Sequence, residues 1–348
     1  MRKETCVEMR IRMDERNLTI GDIAKELGVS KTTVSRAISG KGRIGAETRE
    51  KVLQYIEEHN YRPNVIAKGL AQSRTFNIGL VMPGDYNVVE LPFFQNCMLG
   101  ISKVASSMDY DVLISVVTTE DISQLQRAVI NHKIDGVILT RTLVDDTPAQ
   151  YLKEMQIPFV AIGSTDERSI IQIDNDHRSA CRELTENLLV QGMRKIALIG
   201  GNQSYMVTRN RLGGFMDAYT RQGLEPEKEH IYLDVEDGAM VKALVQKMIA
   251  EGIECIIAMD DYLCSCVLNT LQQQQVSVPE QVKIASFYDS SFLENHIPSI
   301  TSIQFDVEEL GRMTCKTLLG IIEGEDVPEK SLLGYEISMR DSTNNCAK

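Results

Sequence analysis

The chain has 348 residues, enough for two or three domains with a substantial core, and its composition is that of a soluble globular protein. No apolar run is long enough to span a bilayer and the N-terminus lacks the apolar core of a signal peptide, which excludes a membrane span and sets the expected compartment as the cytoplasm. The net charge of −12 argues at first against nucleic acid, but residues 1–74 hold 15 Lys+Arg against 10 Asp+Glu, a net +5, and the remainder carries −17, so a basic head sits on an acidic body. Residues 1–17 show no clear apolar period. From Ile20 the chain reads IGDIAKELGVSKTTVSRAISG. Ile23 and Leu27 share one helical face, and Gly28 can stop the helix and turn the chain. Ser30 is a natural N-cap for a second helix, whose stripe is Val34 and Ile38. The spacing predicts a helix-turn-helix. Its second helix turns out Lys31, Thr32, Ser35 and Arg36, all able to bond base edges or phosphates. A third helix fits Ala46–His59, with Val52 and Ile56 inward.

The words DIAKELGVSKTTVSRAISG, TREKVLQYIEEHNYRPN and AKGLA resemble the lactose repressor/galactose repressor family of bacterial transcription regulators, and the resemblance runs from about Leu18 to Thr343. It implies DNA contacts at Thr19, Lys31, Thr32, Thr33, Ser35 and Arg36. Most family members begin only a few residues before the first helix, which favours Met9 or Met13 as the start over a disordered basic arm. Pro63 ends the third helix, and Asn64 can cap a short helix over Val65–Ala71. That helix is too short to be stable alone, and Gly69 weakens it by about 1 kcal/mol relative to alanine. The resemblance implies a hinge helix that forms on DNA and enters the minor groove, with Asn64, Ala67 and the wedge residue Leu70 as contacts.

From Thr75 strand and helix alternate: strands at Asn77–Met82, Asp111–Val117, Gly136–Thr140, Phe159–Ile162, Lys195–Gly200 and Cys255–Met259, and helices at Phe93–Ser107, Ile122–His132, Ser179–Gln191, Arg211–Gln222 and Met240–Glu251. Such alternation predicts parallel sheets with helices on both faces and ligands at the carboxyl ends of the strands. The resemblance implies a periplasmic-binding-protein-like α/β regulatory domain of two doubly wound subdomains. The expected plan is an extension at 1–17, a small all-α helix-turn-helix domain at 18–63, a hinge and linker at 64–74, and the effector and dimerisation body at 75–348, with subdomain crossings near 174, 305 and 332. Enzyme signatures are missing: no GxGxxG after a strand, no Walker loop, no GxSxG, and five histidines without metal spacing. The eight cysteines include no CxxC pair and read as reduced, mostly buried thiols, so neither a metal nor a cofactor is expected.

Several cleft words of the family persist. Leu91-Pro92-Phe93-Phe94 resembles the Pro-Phe-Phe at the cleft entrance, Asp174-Asn175 the start of the second subdomain, and Arg211-Leu212-Gly213-Gly214-Phe215 the Arg-Leu-x-Gly-Phe whose arginine reaches the effector. A guanidinium there can grip a sugar hydroxyl or a carboxylate in fork geometry. Other words differ. Met259, Tyr288 and Phe305 stand where sugar-responsive members often carry Asn, Asp and Gln. The expected effector-binding set is Asp85, Phe93, Phe94, Arg211, Met259, Asp260, Tyr288, Asp289 and Phe305. With those apolar substitutions the set favours a ligand with a flat or apolar body and a polar or anionic end over a free hexose; a glycoside or an oligosaccharide across aromatic faces also fits. Asn344-Asn345-Cys346-Ala347-Lys348 carries no heptad, so a dimer is expected. The expected function is a homodimeric repressor binding palindromic operator DNA under control of a small-molecule effector, carbohydrate or a related metabolite. The alternatives are a regulator worked by a protein partner such as a phosphocarrier, and an α/β enzyme.

Overall fold

The computed structural model describes residues 18–40, 42–59, 61, 69, 72–84, 92–235 and 237–344, which form two units meeting at Thr75–Phe76. The extension at 1–17 and most of the expected hinge helix lie outside the described residues, as do Asn64, Ala67, Leu70 and Asp85.

The first unit is three helices, α1 (Ile20–Glu26), α2 (Lys31–Ser39) and α3 (Ala46–Glu58). Thr19 and Asp22 close a capping box at the start of α1: Asp22 N donates to Thr19 Oγ1 at 3.2 Å, and Thr19 N donates to the Asp22 carboxylate at 2.9 Å. Gly28 takes φ +65° in the turn, a conformation a side chain would strain, and Ser30 Oγ accepts from Thr33 N at 3.1 Å to start α2. Ile23, Ala24, Val34, Ala37 and Val52 make a small core with Leu27, Ile38, Ile56 and Tyr61 packed around it. Arg49 of α3 donates to the carbonyl of Gly40 at 3.1 Å and ties the third helix to the end of the second.

The second unit holds two six-stranded sheets. The first combines β1 (Asn77–Pro83), β2 (Asp111–Val117), β3 (Gly136–Leu139), β4 (Phe159–Ile162), β5 (Gln172–Asn175) and β11 (Lys330–Leu333), all parallel, in the order β11-β5-β4-β3-β1-β2. The second combines β6 (Ile196–Ile199), β7 (Ile231–Tyr232), β8 (Cys255–Ala258), β9 (Lys283–Ser286), β10 (Thr301–Gln304) and β12 (Glu336–Ser338), in the order β12-β10-β9-β8-β6-β7. Central strands such as β3, β6 and β8 are buried along their whole length, as parallel strands covered on both faces must be. Helices α4 (Pro92–Ser107) and α12 (Val307–Glu323) cover one face of the first sheet, and α5 (Ser123–Ile130) and α6 (Thr147–Glu154) the other. Helices α7 (His177–Val190) and α8 (Met206–Arg221) cover one face of the second sheet; α9 (Gly238–Ala250), α10 (Asp261–Gln273) and the short α11 (Ser291–Asn295) cover the other.

The chain passes between the sheets after β5, between β10 and α12, and between β11 and β12. A fourth link is not a crossing. Leu143 pairs antiparallel with Tyr205, Val144 N donating to Ser204 O at 2.9 Å and Met206 N to Thr142 O at 3.2 Å. Arg141 lies over the Tyr205 ring, 5.0 Å from its centroid. One feature departs from the expectation. Strand β12 runs antiparallel to β10, so the second sheet is mixed. Beyond Ser338 the chain is held by backbone as well as side-chain bonds: Ser342 N donates to Ser299 O at 2.9 Å, and Ile284 N donates to Ser342 O at 3.2 Å. Thr301 N donates to Ser342 Oγ at 2.8 Å, and Ser342 Oγ donates to Ile284 O at 2.6 Å.

Candidate functional site

On the helix-turn-helix, Lys31, Thr32, Ser35 and Arg36 are exposed along one side of α2, while Val34 and Ala37 are buried opposite. Two glycines make room for the cationic stems. A Cβ on Gly21 would lie 3.2 Å from Lys31 Cε, and one on Gly42 would lie 3.1 Å from Arg36 Cδ. Both stems are thereby held against the backbone while their charges stay in solvent. Thr33 is half-buried and bonds Ser30 Oγ through its hydroxyl at 2.9 Å, and the Thr19 hydroxyl donates to Asp22 at 2.7 Å. Those two hydroxyls serve caps first.

In the second unit the carboxyl ends of β3, β4, β5, β6, β8 and β9 converge on one cleft of about 500 Å³. The first sheet contributes Thr140, Arg141, Thr142, Gly163 and Asp174; the second contributes Asn202, Met259, Asp260 and Tyr288. Helix starts add Phe93, Phe94, His177, Tyr205, Asp261 and Tyr262, and Thr208 and Arg211 project from α8. Aromatic faces and hydrogen-bonding groups thus line the same space.

At the base of this cleft, Asp174 accepts Ser164 N and Oγ, both at 2.8 Å, and Asn175 N at 2.8 Å. Burial pushes its carboxyl up to about 6, against those hydrogen bonds and the Arg211 charge. His177 is 5% exposed, and burial followed by Arg211 holds it well below the ordinary histidine range, so the imidazole is neutral. Arg211 is 8% exposed and donates through a terminal nitrogen to the carbonyl of Met259. Asp260 caps α10, accepting Leu263 N at 2.7 Å, and burial raises its carboxyl. Burial and then the Asp260 carboxylate push Asp261 up to about 6. Among the described residues no group of His, Cys, Asp and Glu is placed to hold a metal ion, and no helix is long and apolar enough to cross a membrane.

Residues 19–64 match the family described as bacterial regulatory proteins, lacI family, and residues 75–338 match periplasmic binding proteins and sugar binding domain of LacI family. The chain is 33% identical over 313 residues to the HTH-type transcriptional regulator MalR of Streptococcus pneumoniae, covering 88% of this chain and 93% of the relative. The chain belongs to the LacI family. It is a DNA-binding transcription regulator controlled by an effector, not an enzyme. A solved complex of the transcriptional regulator CelR with cellobiose superposes with a TM-score of 0.71 at 26% identity, covering 93% of this chain and 99% of the other. The lac repressor dimer bound to operator and an anti-inducer superposes at 0.76 and 25% identity, covering 94% and 99%.

Within this LacI-family body, Phe93, Phe94, Arg211, Met259, Asp260 and Tyr288 come together in the cleft. Two expected effector residues do not. Asp289 is taken by Arg340, which donates to both its oxygens at 2.8 and 2.7 Å, and by Gln304 at 2.8 Å. It is part of a structural ion pair, with Arg340 entering from the chain beyond β12, and neither residue lines the cleft. Phe305 stands behind the lining, edge-on to His177 at 4.7 Å and near-parallel to Tyr288 at 6.3 Å. The cleft also holds polar groups outside the expected set. Thr140, Arg141, Thr142, Asp174, His177, Asn202, Tyr205, Thr208, Asp261 and Tyr262 all line the cleft, and none was in the expected set. The one signal for them was position: each sits at or just beyond a strand's carboxyl end, or in the first turn or two of the helix that follows.

Proposed function

We propose that this regulator represses transcription as a cytoplasmic homodimer on a palindromic operator and that its effector is a neutral carbohydrate of about disaccharide size. What carries the effector reading is the cleft of about 500 Å³, with Phe93, Tyr205, Tyr262 and Tyr288 as apolar faces and carboxylates, hydroxyls and Arg211 between them. Sugars present that alternation, apolar ring faces edged by hydroxyls, and a buried hydroxyl needs a partner or it costs about 1–3 kcal/mol. The CelR–cellobiose complex supports the same ligand class, and the lac repressor dimer on operator supports dimeric DNA binding. An anionic effector fits less well, since Asp174, Asp260 and Asp261 stand beside the one arginine of α8 that reaches the base.

Lys31, Thr32, Ser35 and Arg36 are assigned to the major groove, with Thr19 and Thr33 beside them and Asn64, Ala67 and Leu70 in the minor groove. The functional divisions are 18–63, 64–74 and 75–348. Effector binding shifts the population between states that hold the operator well and poorly. Calorimetry with cellobiose, followed by fluorescence anisotropy of a palindromic operator with and without the sugar, tests both halves. Saturable sugar binding with a changed operator affinity is expected. Tight sugar binding that leaves operator affinity unchanged would overturn the coupling. No preference for any palindrome over random DNA would overturn the repressor assignment.

A further inference from the structure

His177 opens α7 directly after the first crossing between the sheets, and its imidazole faces the cleft. One ring edge is engaged: Nε2 lies 3.5 Å from Asp174 Oδ1, and the ring meets Phe305 edge-on at 4.7 Å. The other nitrogen, Nδ1, is buried with no hydrogen-bond partner. Arg211 shows the same condition, its terminal nitrogen on Met259 O and its buried Nε without a partner. Two buried polar atoms without partners, on residues that line one cavity, are costly unless a guest satisfies them.

Their chemistry restricts the guest. A neutral imidazole has one donor and one acceptor. With the proton on Nε2, toward the Asp174 carboxylate, Nδ1 presents a lone pair. Arg211 Nε can only donate. A group that both gives and takes a hydrogen bond suits this pair, and an alcohol does so. A carboxylate or phosphate oxygen has no proton for Nδ1 and would face Asp174, Asp260 and Asp261 as well.

We infer that His177 sets effector specificity by accepting a hydrogen bond at Nδ1 from a neutral ligand hydroxyl, so that the base of the cleft selects neutral sugars over their acidic counterparts. The inference rests on the carbohydrate reading above. In this role the residue acts by contact with the ligand rather than by holding the fold.

The test uses the full chain at pH 7.5 and calorimetry against neutral disaccharides (cellobiose, maltose, lactose, sucrose and trehalose), with cellobionate as the acidic counterpart. His177→Phe keeps the ring against Phe305 and removes the acceptor; His177→Asn places an amide oxygen near the Nδ1 position. For the sugar that binds, His177→Phe should raise Kd by about tenfold or more, and His177→Asn should stay within about threefold. The thermal midpoint of unliganded His177→Phe should equal or exceed the parent's, which separates lost recognition from lost folding. Cellobionate should bind more weakly than cellobiose. Long-range ¹H–¹⁵N spectra should show the Nε2–H tautomer before ligand is added. Unchanged affinity in His177→Phe or a proton on Nδ1 would overturn the inference while leaving the carbohydrate reading intact; preference for cellobionate would overturn both the inference and the neutrality of the proposed effector. Failure of every neutral sugar to bind the parent protein would overturn that reading and this inference with it.

Discussion

Arg340 holds Asp289 with both terminal nitrogens and spends the rest of its fork on Ser302 Oγ and Ile300 O, both at 2.9 Å. The pair is largely buried, 12% and 9% exposed, so removing one partner leaves a charge that water reaches poorly. Arg340→Ala should cost about 3–5 kcal/mol in urea denaturation, and an unchanged midpoint would show the pair to be idle. Burial works to raise Asp289, but hydrogen bonds led by Arg340 outweigh it and hold the carboxyl below its ordinary value. Its stabilisation is therefore present above the unfolded pKa and lost as pH falls through the folded one. Asp261 has the opposite sign. Burial and Asp260 push it up from 3.8 to about 6, so its folded form favours the proton. The stabilisation is full below the unfolded value and lost as pH rises through about 6. Asp261→Asn should raise the thermal midpoint by about 2–4 °C at pH 7.5 and by clearly less at pH 5. An equal gain at both pH values would sink this account.

Helices α4 and α12 cross where each carries a glycine. A Cβ on Gly100 would lie 2.0 Å from Glu308 O, and one on Gly311 would lie 2.2 Å from Cys97 O. The obstructing atoms are backbone, so neither helix can yield by turning a side chain. Gly100→Ala should destabilise by about 1–3 kcal/mol through overpacking, read as a lower urea midpoint with the slope unchanged. A neutral effect would mean that the helices separate easily. Alternation from Asn77 to Met259 is legible in the sequence because its strands are continuous apolar runs and its longer helices are amphipathic. Helix α6 is harder to read: TPAQYLKE spans eight residues and buries only Pro148, Ala149 and Leu152. The antiparallel β12 is set by its partner β10, which no local pattern reports. The site is legible where a family word survives, at Phe93 and Arg211. Thr142, Asn202 and Tyr205 lie in loops that carry no period, and they become neighbours only when two sheets face each other. Asp289 shows the converse: an acid beside a cleft residue reads as a ligand group until Arg340, far along the chain, is seen to occupy it.

The whole molecule separates its charge by function, with a net +5 on residues 1–74 and −17 beyond. An acidic body repels a phosphate backbone and confines attraction to the basic head. That makes the salt dependence of DNA binding a property of a few side chains on α2 and its neighbours. Lys31 carries its ammonium on a stem laid over Gly21, and Arg36 carries its guanidinium on a stem laid over Gly42. Each group that neutralises one phosphate contributes about 0.9 to the slope of log affinity against log salt. If Lys31 meets a phosphate, Lys31→Ala should lower that slope by about 0.9 and weaken operator and random DNA alike. Arg36, with a planar fork suited to a guanine edge, should behave differently: Arg36→Ala should cost about 1–3 kcal/mol on the operator and relax its discrimination at one base pair. Fluorescence anisotropy across a salt series, on operator and on scrambled duplex, separates the two outcomes. Losses of equal size on both duplexes for Arg36→Ala would make it a phosphate contact. If neither substitution changes the slope or the discrimination, the exposed side of α2 is not the surface that meets DNA.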